Sequence, residues 1–262
     1  MDIQSVRSFI LDLDGVLFRG SQRLPGAVEL IDLFERKNRR YVLLTNNSTR
    51  TPEQVSVHLA SLGIVVSPEH ILTSSIAVAM YLKHLRPAGA RVFVIGEEGL
   101  RAPLAEAGFT LADDGHGAEY VVLGIDRGIN YEKLKRATLL IRGGAPFIAT
   151  NPDTTYPSSE GLVPGAGSLI AALQATTGVY PTVIGKPSPE GFLLALEKME
   201  TERETTAAVG DRLDTDILGG ERAGLKTILV LSGVSTRAEL ASSPIEPTWI
   251  FDDLPQLVQA LG

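Results

Sequence analysis

A chain of 262 residues that is 44% hydrophobic can bury a large core, and it is longer than one average domain. Its formal net charge of −7 excludes a protein that follows nucleic acid or anionic membrane through a general positive field, while leaving room for a local basic site that holds one phosphate. With no cysteine there is no disulfide framework, thiolate metal site or cysteine nucleophile. The start, MDIQSVRSFILDLDG, has no basic leader before an apolar core, and no apolar run reaches membrane-spanning length, so the expected address is the cytoplasm with neither nucleic acid nor membrane as partner.

In chain order, short apolar runs alternate with segments of helical period. RSFILDLD, RYVLLTNN, RVFVIGEE, EYVVLGID, APFIATNPD, YPTVIGKPS, TAAVGDRL, KTILVLSG and TWIFDDL each read as a strand ended by Gly, Asn, Asp or Pro. Between them TPEQVSVHLASLG opens on a Thr cap with Pro in the first turn and closes on Gly63, and SPEGFLLALEKM repeats the pattern. Strands apolar on both faces that alternate with helices imply parallel pairing through right-handed crossovers. The fold class is α/β, a doubly wound, Rossmann-like parallel sheet.

In such sheets ligands bind beyond the carboxyl ends of the strands. The residues there are unusually polar: Asp12 and Asp14 after the first run, Thr45, Asn46 and Asn47 after the second, Lys186 after TVIG, and Asp211, Asp214 and Asp216 after AAVG. Carboxylates converging at one edge repel each other, so a cation must compensate. An oxygen-only donor set without histidine or cysteine suits Mg²⁺, which takes one or two carboxylates together with waters and phosphate oxygens. Lys186 is a second cation, of the kind that holds phosphate, and the Thr45 hydroxyl adds a donor. Together these describe phosphoryl transfer: one aspartate attacks phosphorus, and a second carboxyl group donates a proton to the leaving oxygen and then takes one from water. Two residues along an extended chain return to the same side, which suits the spacing of Asp12 and Asp14 to that division of labour.

DLDGV at 12–16, LLTNNS at 43–48, GKPSP at 185–189 and GDRLDTDI at 210–217 resemble, in order, the four motifs of the haloacid dehalogenase superfamily. The segment ATNPDTTYPSSEGLVPGAGSLIAAL resembles its capped subfamily IIA, the phosphatases of sugar phosphates, nitrophenyl phosphate, phosphoglycolate and pyridoxal phosphate, and the similarity covers nearly the whole chain. Position by position, the resemblance implies Asp12 as nucleophile, Asp14 as general acid and base, and Thr45, Asn46 and Lys186 as phosphate holders, with Asn47 beside them. It implies Mg²⁺ on Asp12, the Asp14 carbonyl and Asp211, with Asp216 supporting it. The haloalkanoate dehalogenase branch is disfavoured, because its members need no magnesium and lack the second aspartate. The expected function is hydrolysis of a small phosphorylated metabolite through an aspartyl-phosphate. A phosphotransferase or mutase on the same chemistry, and a catalytically idle phosphate-ligand sensor, stay open as alternatives.

About 140 residues separate Thr45 from Lys186, too many for one crossover. The expected organisation is a core from 1–79 and 181–262 with an α/β cap domain inserted at 80–180, and the resemblance implies a homodimer formed through that cap. NPDTTYP at 151–157 is expected to face the site from the cap, with Tyr156 touching the leaving group. Relatives acting on pyridoxal phosphate carry a histidine at what corresponds to Tyr156, which argues against that substrate. GLVPGAGS at 161–168 lacks the ending of a nucleotide P-loop and reads as a connecting loop. His58, His70, His84 and His116 show no metal-ligand spacing and read as surface residues. Ser48, Ser74 and Ser75 have no histidine at hand for a serine nucleophile, Asp214 reads as a charge at a helix start, and Trp249 and Phe251 read as core.

Overall fold

The structure, a computed structural model, describes residues 2–158 and 160–262. The chain divides by contact into two compact units: the first holds residues up to Thr45, Pro52–Leu72 and Lys186–Gly262, and the second holds Asn46–Thr51 and Thr73–Gly185. The expectation set the inserted segment at 80–180. In the structure the second unit begins earlier because the helix Ser74–Leu85 packs on Glu98–Glu106, and it also takes in the short piece after Thr45.

In the first unit six strands form one sheet in the order Trp249–Phe251, Lys226–Val230, Thr206–Gly210, Ser8–Leu11, Arg40–Thr45, Ile71–Thr73. The pairings from Trp249–Phe251 to Arg40–Thr45 are all parallel. Starting at Ser8–Leu11 the chain winds outward on one side, and after the second unit it returns to the opposite side at Thr206–Gly210. The order therefore reverses beside the first strand, and a crevice opens at the carboxyl ends there. Ile71–Thr73 was not anticipated; three residues are too few to show a period.

Alternation along the strands supplies the core. Phe9 and Leu11, Tyr41 and Leu43, Ala207 and Val209, and Ile228 and Val230 share one cluster with residues of the helices Ala27–Arg36, Pro52–Ser61 and Leu254–Leu261. Phe9 and Phe34 stack at the middle, with ring centroids 4.5 Å apart. Trp249 and Phe251, read as core, lie on the outermost strand and are only partly buried against this cluster.

The second unit is a smaller α/β layer structure. Its parallel sheet runs Thr182–Val183, Phe147–Ala149, Tyr120–Leu123, Arg91–Ile95, Thr110–Leu111. Phe93, Ile95, Val121, Leu123 and Phe147 pack on Ala137, Ile141, Ile170 and Leu173 of the helices Tyr131–Arg142 and Ala166–Thr177. One expected loop is ordered differently. Thr155–Ser158, which contains Tyr156, pairs antiparallel with Gly161–Pro164, and a helix starts at Ala166, so the glycine-rich stretch is half strand and half helix entry rather than a connecting loop. Among the described residues no helix is long and apolar enough to cross a membrane.

Since Phe34 is fully buried against Phe9 and Tyr41, Phe34→Ala should lower the stability of the first unit by about 3–5 kcal/mol, read from urea unfolding. A loss below about 1 kcal/mol would show that the stack is not part of a close-packed core.

Candidate active site

The register of the parallel sheet decides which side chains meet. Leu11 is level with Val209 on one side and Leu43 on the other, so Asp12, Asp211 and Thr45 all emerge just past the same edge. The Asp12 N–H still donates to the Val209 carbonyl at 2.9 Å, which fixes the direction in which its carboxylate leaves the sheet. After Gly210 the chain makes a π-helical turn over Leu213–Ile217, which carries Asp216 back above the strand end. That return is possible because residue 210 has no side chain: a Cβ there would collide with the Asp216 side chain.

Lys186 closes the cluster. Its Nζ lies 2.5 Å from Asp12 Oδ1 and 2.6 Å from Asp216 Oδ1, with the Lys186 and Asp216 side chains 5% and 3% exposed and that of Asp12 12%. The second oxygen of Asp216 accepts the Arg212 N–H at 3.1 Å. Both Asp216 oxygens are thus engaged, one on the lysine and one on the backbone. Asp211 differs. It is fully buried, its Oδ2 accepts the Val234 N–H at 2.7 Å, and its Oδ1 has no hydrogen-bond partner among the described residues.

The electrostatics follow from this crowding. Burial pushes the Asp12 carboxyl well above the usual carboxylate range; Lys186 opposes the rise, and Asp216 and Asp211 add to it. Asp211 is pushed up to about 6, by burial first and by the Asp216 charge second. Burial works against the Lys186 ammonium, but Asp12 and Asp216 outweigh it and hold its pKa above the ordinary lysine value. The lysine is therefore a fixed positive charge, and it cannot neutralise three carboxylates alone.

Asp14 is placed otherwise than strand alternation implies. The chain leaves the sheet after Leu11, Asp14 sits at an isolated bridge to Phe18 just before Gly15, whose φ is +84°, and its side chain is exposed. A bend at Leu13, rather than an extended strand, separates it from Asp12, and the turn follows it at residues 15–17. Thr45 is buried at the end of its strand. Asn46 and Asn47 fall in the second unit. There Asn46 Nδ2 donates to Asp153 Oδ2 at 3.1 Å, and its carbonyl accepts from Ser74 Oγ and Asn151 Nδ2, both at 2.8 Å. The Asn47 side-chain oxygen accepts from the N–H groups of Thr49 and Arg50 and so shapes the turn.

The remaining readings divide. Asp214 is 68% exposed and pairs with Arg212 at 2.9 Å, a surface pair as expected of a turn-start charge. His84 and His116 are exposed, but His58 and His70 are half-buried, His70 stacked on Tyr41 with its Nδ1 3.0 Å from the Tyr41 carbonyl, which corrects their reading as surface residues. Ser48, Ser74 and Ser75 are buried, and the hydroxyls of Ser74 and Ser75 are spent on backbone carbonyls of the Asn46–Thr51 segment. Sequence reasoning missed Asn151 and Asp153 as partners of Asn46, and it missed Val234. The strand-end rule that found Asp12 applies equally to Lys226–Val230 and would have pointed to the residues after it.

The donor set fits a small hard cation. Asp12, Asp211 and Asp216 each offer an oxygen, the three within 4.8 Å of one another, and the unpartnered Asp211 Oδ1 is among the atoms a cation would satisfy. A buried lysine is thus threaded among aspartates at the switch point of a parallel sheet, where ligands of such folds bind. The family profile for haloacid dehalogenase-like hydrolases matches residues 9–110, and a second HAD-hydrolase-like profile matches 183–257. An acid sugar phosphatase of Staphylococcus aureus is 40% identical over 259 residues, 99% of each chain. The crystal structure of a 4-nitrophenylphosphatase from Thermotoga maritima superposes with a TM-score of 0.92 at 36% identity, covering 99% of both chains. NagD from E. coli superposes at 0.90 with 37% identity, covering 97% of this chain and 98% of its own. The chain belongs to the haloacid dehalogenase-like hydrolases and is an enzyme of their phosphatase branch.

A carboxyl whose folded pKa is raised above its unfolded value favours the fold while protonated. For Asp211, raised from 3.8 to about 6, that contribution is complete below the unfolded value and is lost as pH rises through about 6. In chelator, the thermal midpoint of the wild type should therefore fall more between pH 4 and pH 6.5 than that of Asp211→Asn. Parallel curves for the two proteins would contradict the assignment.

Proposed function

We propose that this chain is a magnesium-dependent phosphomonoesterase that hydrolyses small phosphate esters, sugar phosphates among them, through an aspartyl-phosphate. The observation that carries the reading is the Lys186 ammonium shared by Asp12 and Asp216 beside the open oxygen of Asp211. The names of its relatives support the substrate class.

In this reading Asp12 Oδ attacks phosphorus, the P–O bond to the ester oxygen breaks, and Asp14 gives its proton to the departing alkoxide. Water then attacks the phosphorus of the acyl phosphate, Asp14 takes its proton, and Asp12 is restored with inorganic phosphate as product. Lys186 balances the phosphoryl charge, and Thr45 with Asn46 donates to its oxygens. Asp12, Asp211 and the Asp14 carbonyl, with Asp216 in support, would hold Mg²⁺, which when bound would supply positive charge that favours the ionised Asp12 and offsets repulsion of the anionic substrate. Exposure of Asp14 suits a group that exchanges protons with solvent between the two halves of the reaction.

Asp12→Asn keeps the shape of the side chain but cannot form the acyl phosphate, so turnover should drop by orders of magnitude with little change in far-UV circular dichroism. Activity above about one per cent of wild type would overturn the nucleophile assignment. Asp14→Asn should harm a sugar phosphate far more than nitrophenyl phosphate, whose leaving group needs little protonation.

The core motifs handle only the phosphoryl group common to all esters, which leaves discrimination among leaving groups to residues of the second unit, with Tyr156 as the candidate. Tyr156→Ala is expected to reorder a panel of esters by kcat/KM, through a contact worth roughly 1–3 kcal/mol, while Lys186→Ala weakens all of them together. Unchanged ratios in Tyr156→Ala would remove it from the specificity surface.

A further inference from the structure

The strand Lys226–Val230 also ends at the acidic cluster, and the loop that follows, Ser232–Ser235, touches every segment that bears a carboxylate of the site. Val234 N–H donates to Asp211 Oδ2 at 2.7 Å and Ser235 N–H to the Asp211 carbonyl at 3.0 Å. Ser235 Oγ accepts the Leu213 N–H at 3.0 Å, at the start of the turn that carries Asp216. Ser232 Oγ donates to the Gly15 carbonyl at 2.9 Å, one residue beyond Asp14. The loop is tied in turn to the chain after Asp14, because Arg19 Nη2 donates to the carbonyls of Ser232 and Gly233 at 2.5 and 2.9 Å.

Gly233 explains why the loop can come so close. A methyl group at that position would fall on the Asp211 carboxylate, and one at Gly15 would strike the same group, each meeting Oδ2 first. Both backbones therefore crowd the carboxylate at Oδ2, the oxygen fixed by the Val234 N–H. Rotation is blocked, and the oxygen left over is the buried Oδ1 without a partner. A loop that only needed to cross the sheet edge would satisfy both oxygens or let the group reach water.

We propose that Ser232 and Gly233 are positioning residues for the cation site: their loop locks Asp211 so that Oδ1 is presented to the metal, and through the Ser232–Gly15 bond it sets the turn that carries the Asp14 carbonyl. The inference rests on the magnesium reading above. Partners that orient a metal ligand without touching the metal typically contribute about 10–100-fold in affinity. The loop has no contact with the reacting phosphoryl group in this scheme, so its effect belongs to metal affinity rather than to the chemical step.

The test titrates full-length wild type, Ser232→Ala, Ser232→Thr and Gly233→Ala with MgCl₂. Two readouts need no turnover, the rise in thermal midpoint and the calorimetric heat; kcat is measured separately at saturating Mg²⁺. Ser232→Ala and Gly233→Ala should need about 10–100-fold more Mg²⁺ for half-saturation, with kcat near wild type once saturated, and Ser232→Thr, which keeps the hydroxyl, should restore affinity. If Gly233→Ala does not fold, the serine pair decides the matter. Half-saturation in Ser232→Ala equal to that of wild type overturns this inference alone. A wild type that shows no Mg²⁺ response overturns the metal reading, and this inference with it.

Discussion

The Lys186 ammonium held between Asp12 and Asp216 is the interaction on which the site depends. Removing a carboxylate from water is costly unless an opposite charge and hydrogen bonds replace the solvent, and here three carboxylates are taken inside together. One lysine cannot balance them; burial first, and the neighbouring carboxylate charge after it, raise Asp12 and Asp211. In the magnesium reading proposed above, the same imbalance would favour a divalent cation, whose charge would offset the repulsion between the cluster and an anionic substrate. The fold tolerates this state because the strand ends are fixed by parallel ladders on both sides of Ser8–Leu11, so the carboxylates cannot move apart.

A second buried aspartate shows what the alternative looks like. In the second unit Asp126, also buried, accepts from Lys133 Nζ at 2.7 Å and from the Gly128 N–H at 2.9 Å, and Lys133 reaches the Gly128 carbonyl as well. Both of its oxygens are engaged, which is the mark of a structural pair. Asp211 is distinguished from it by a single unsatisfied oxygen. Burial and pairing alone do not separate a functional carboxylate from a structural one; the accounting of each oxygen does.

The division of the chain bears on the chemistry in a specific way. Two of its four passages from one unit to the other, at Thr45–Asn46 and at Gly185–Lys186, lie beside residues to which the proposed reading gives the phosphate. On the side of the second unit these crossings are tied down by Asn151 on the Asn46 carbonyl and by the Gly185 N–H on the Thr150 carbonyl.

Local patterning carried much of this protein. Alternating runs and caps were sufficient for the strands and for α/β class, since a both-faces-apolar strand has few other places to go, and the polar residues just beyond those runs named Asp12, Thr45, Lys186, Asp211 and Asp216. Tertiary structure alone decided the rest. The chain leaves the sheet after Leu11 and bends at Leu13, so strand alternation does not place Asp14, a π-helical turn over Leu213–Ile217 returns Asp216 to the strand end, and Gly161–Pro164 pairs with Thr155–Ser158 where a loop was expected. Nor does any pattern in SGVS announce that its backbone clamps Asp211. Periodicity reports which face of an element is buried, whereas a site is set by which oxygen meets which N–H across segments far apart in sequence, and that depends on register and turn geometry that no local run of residues encodes.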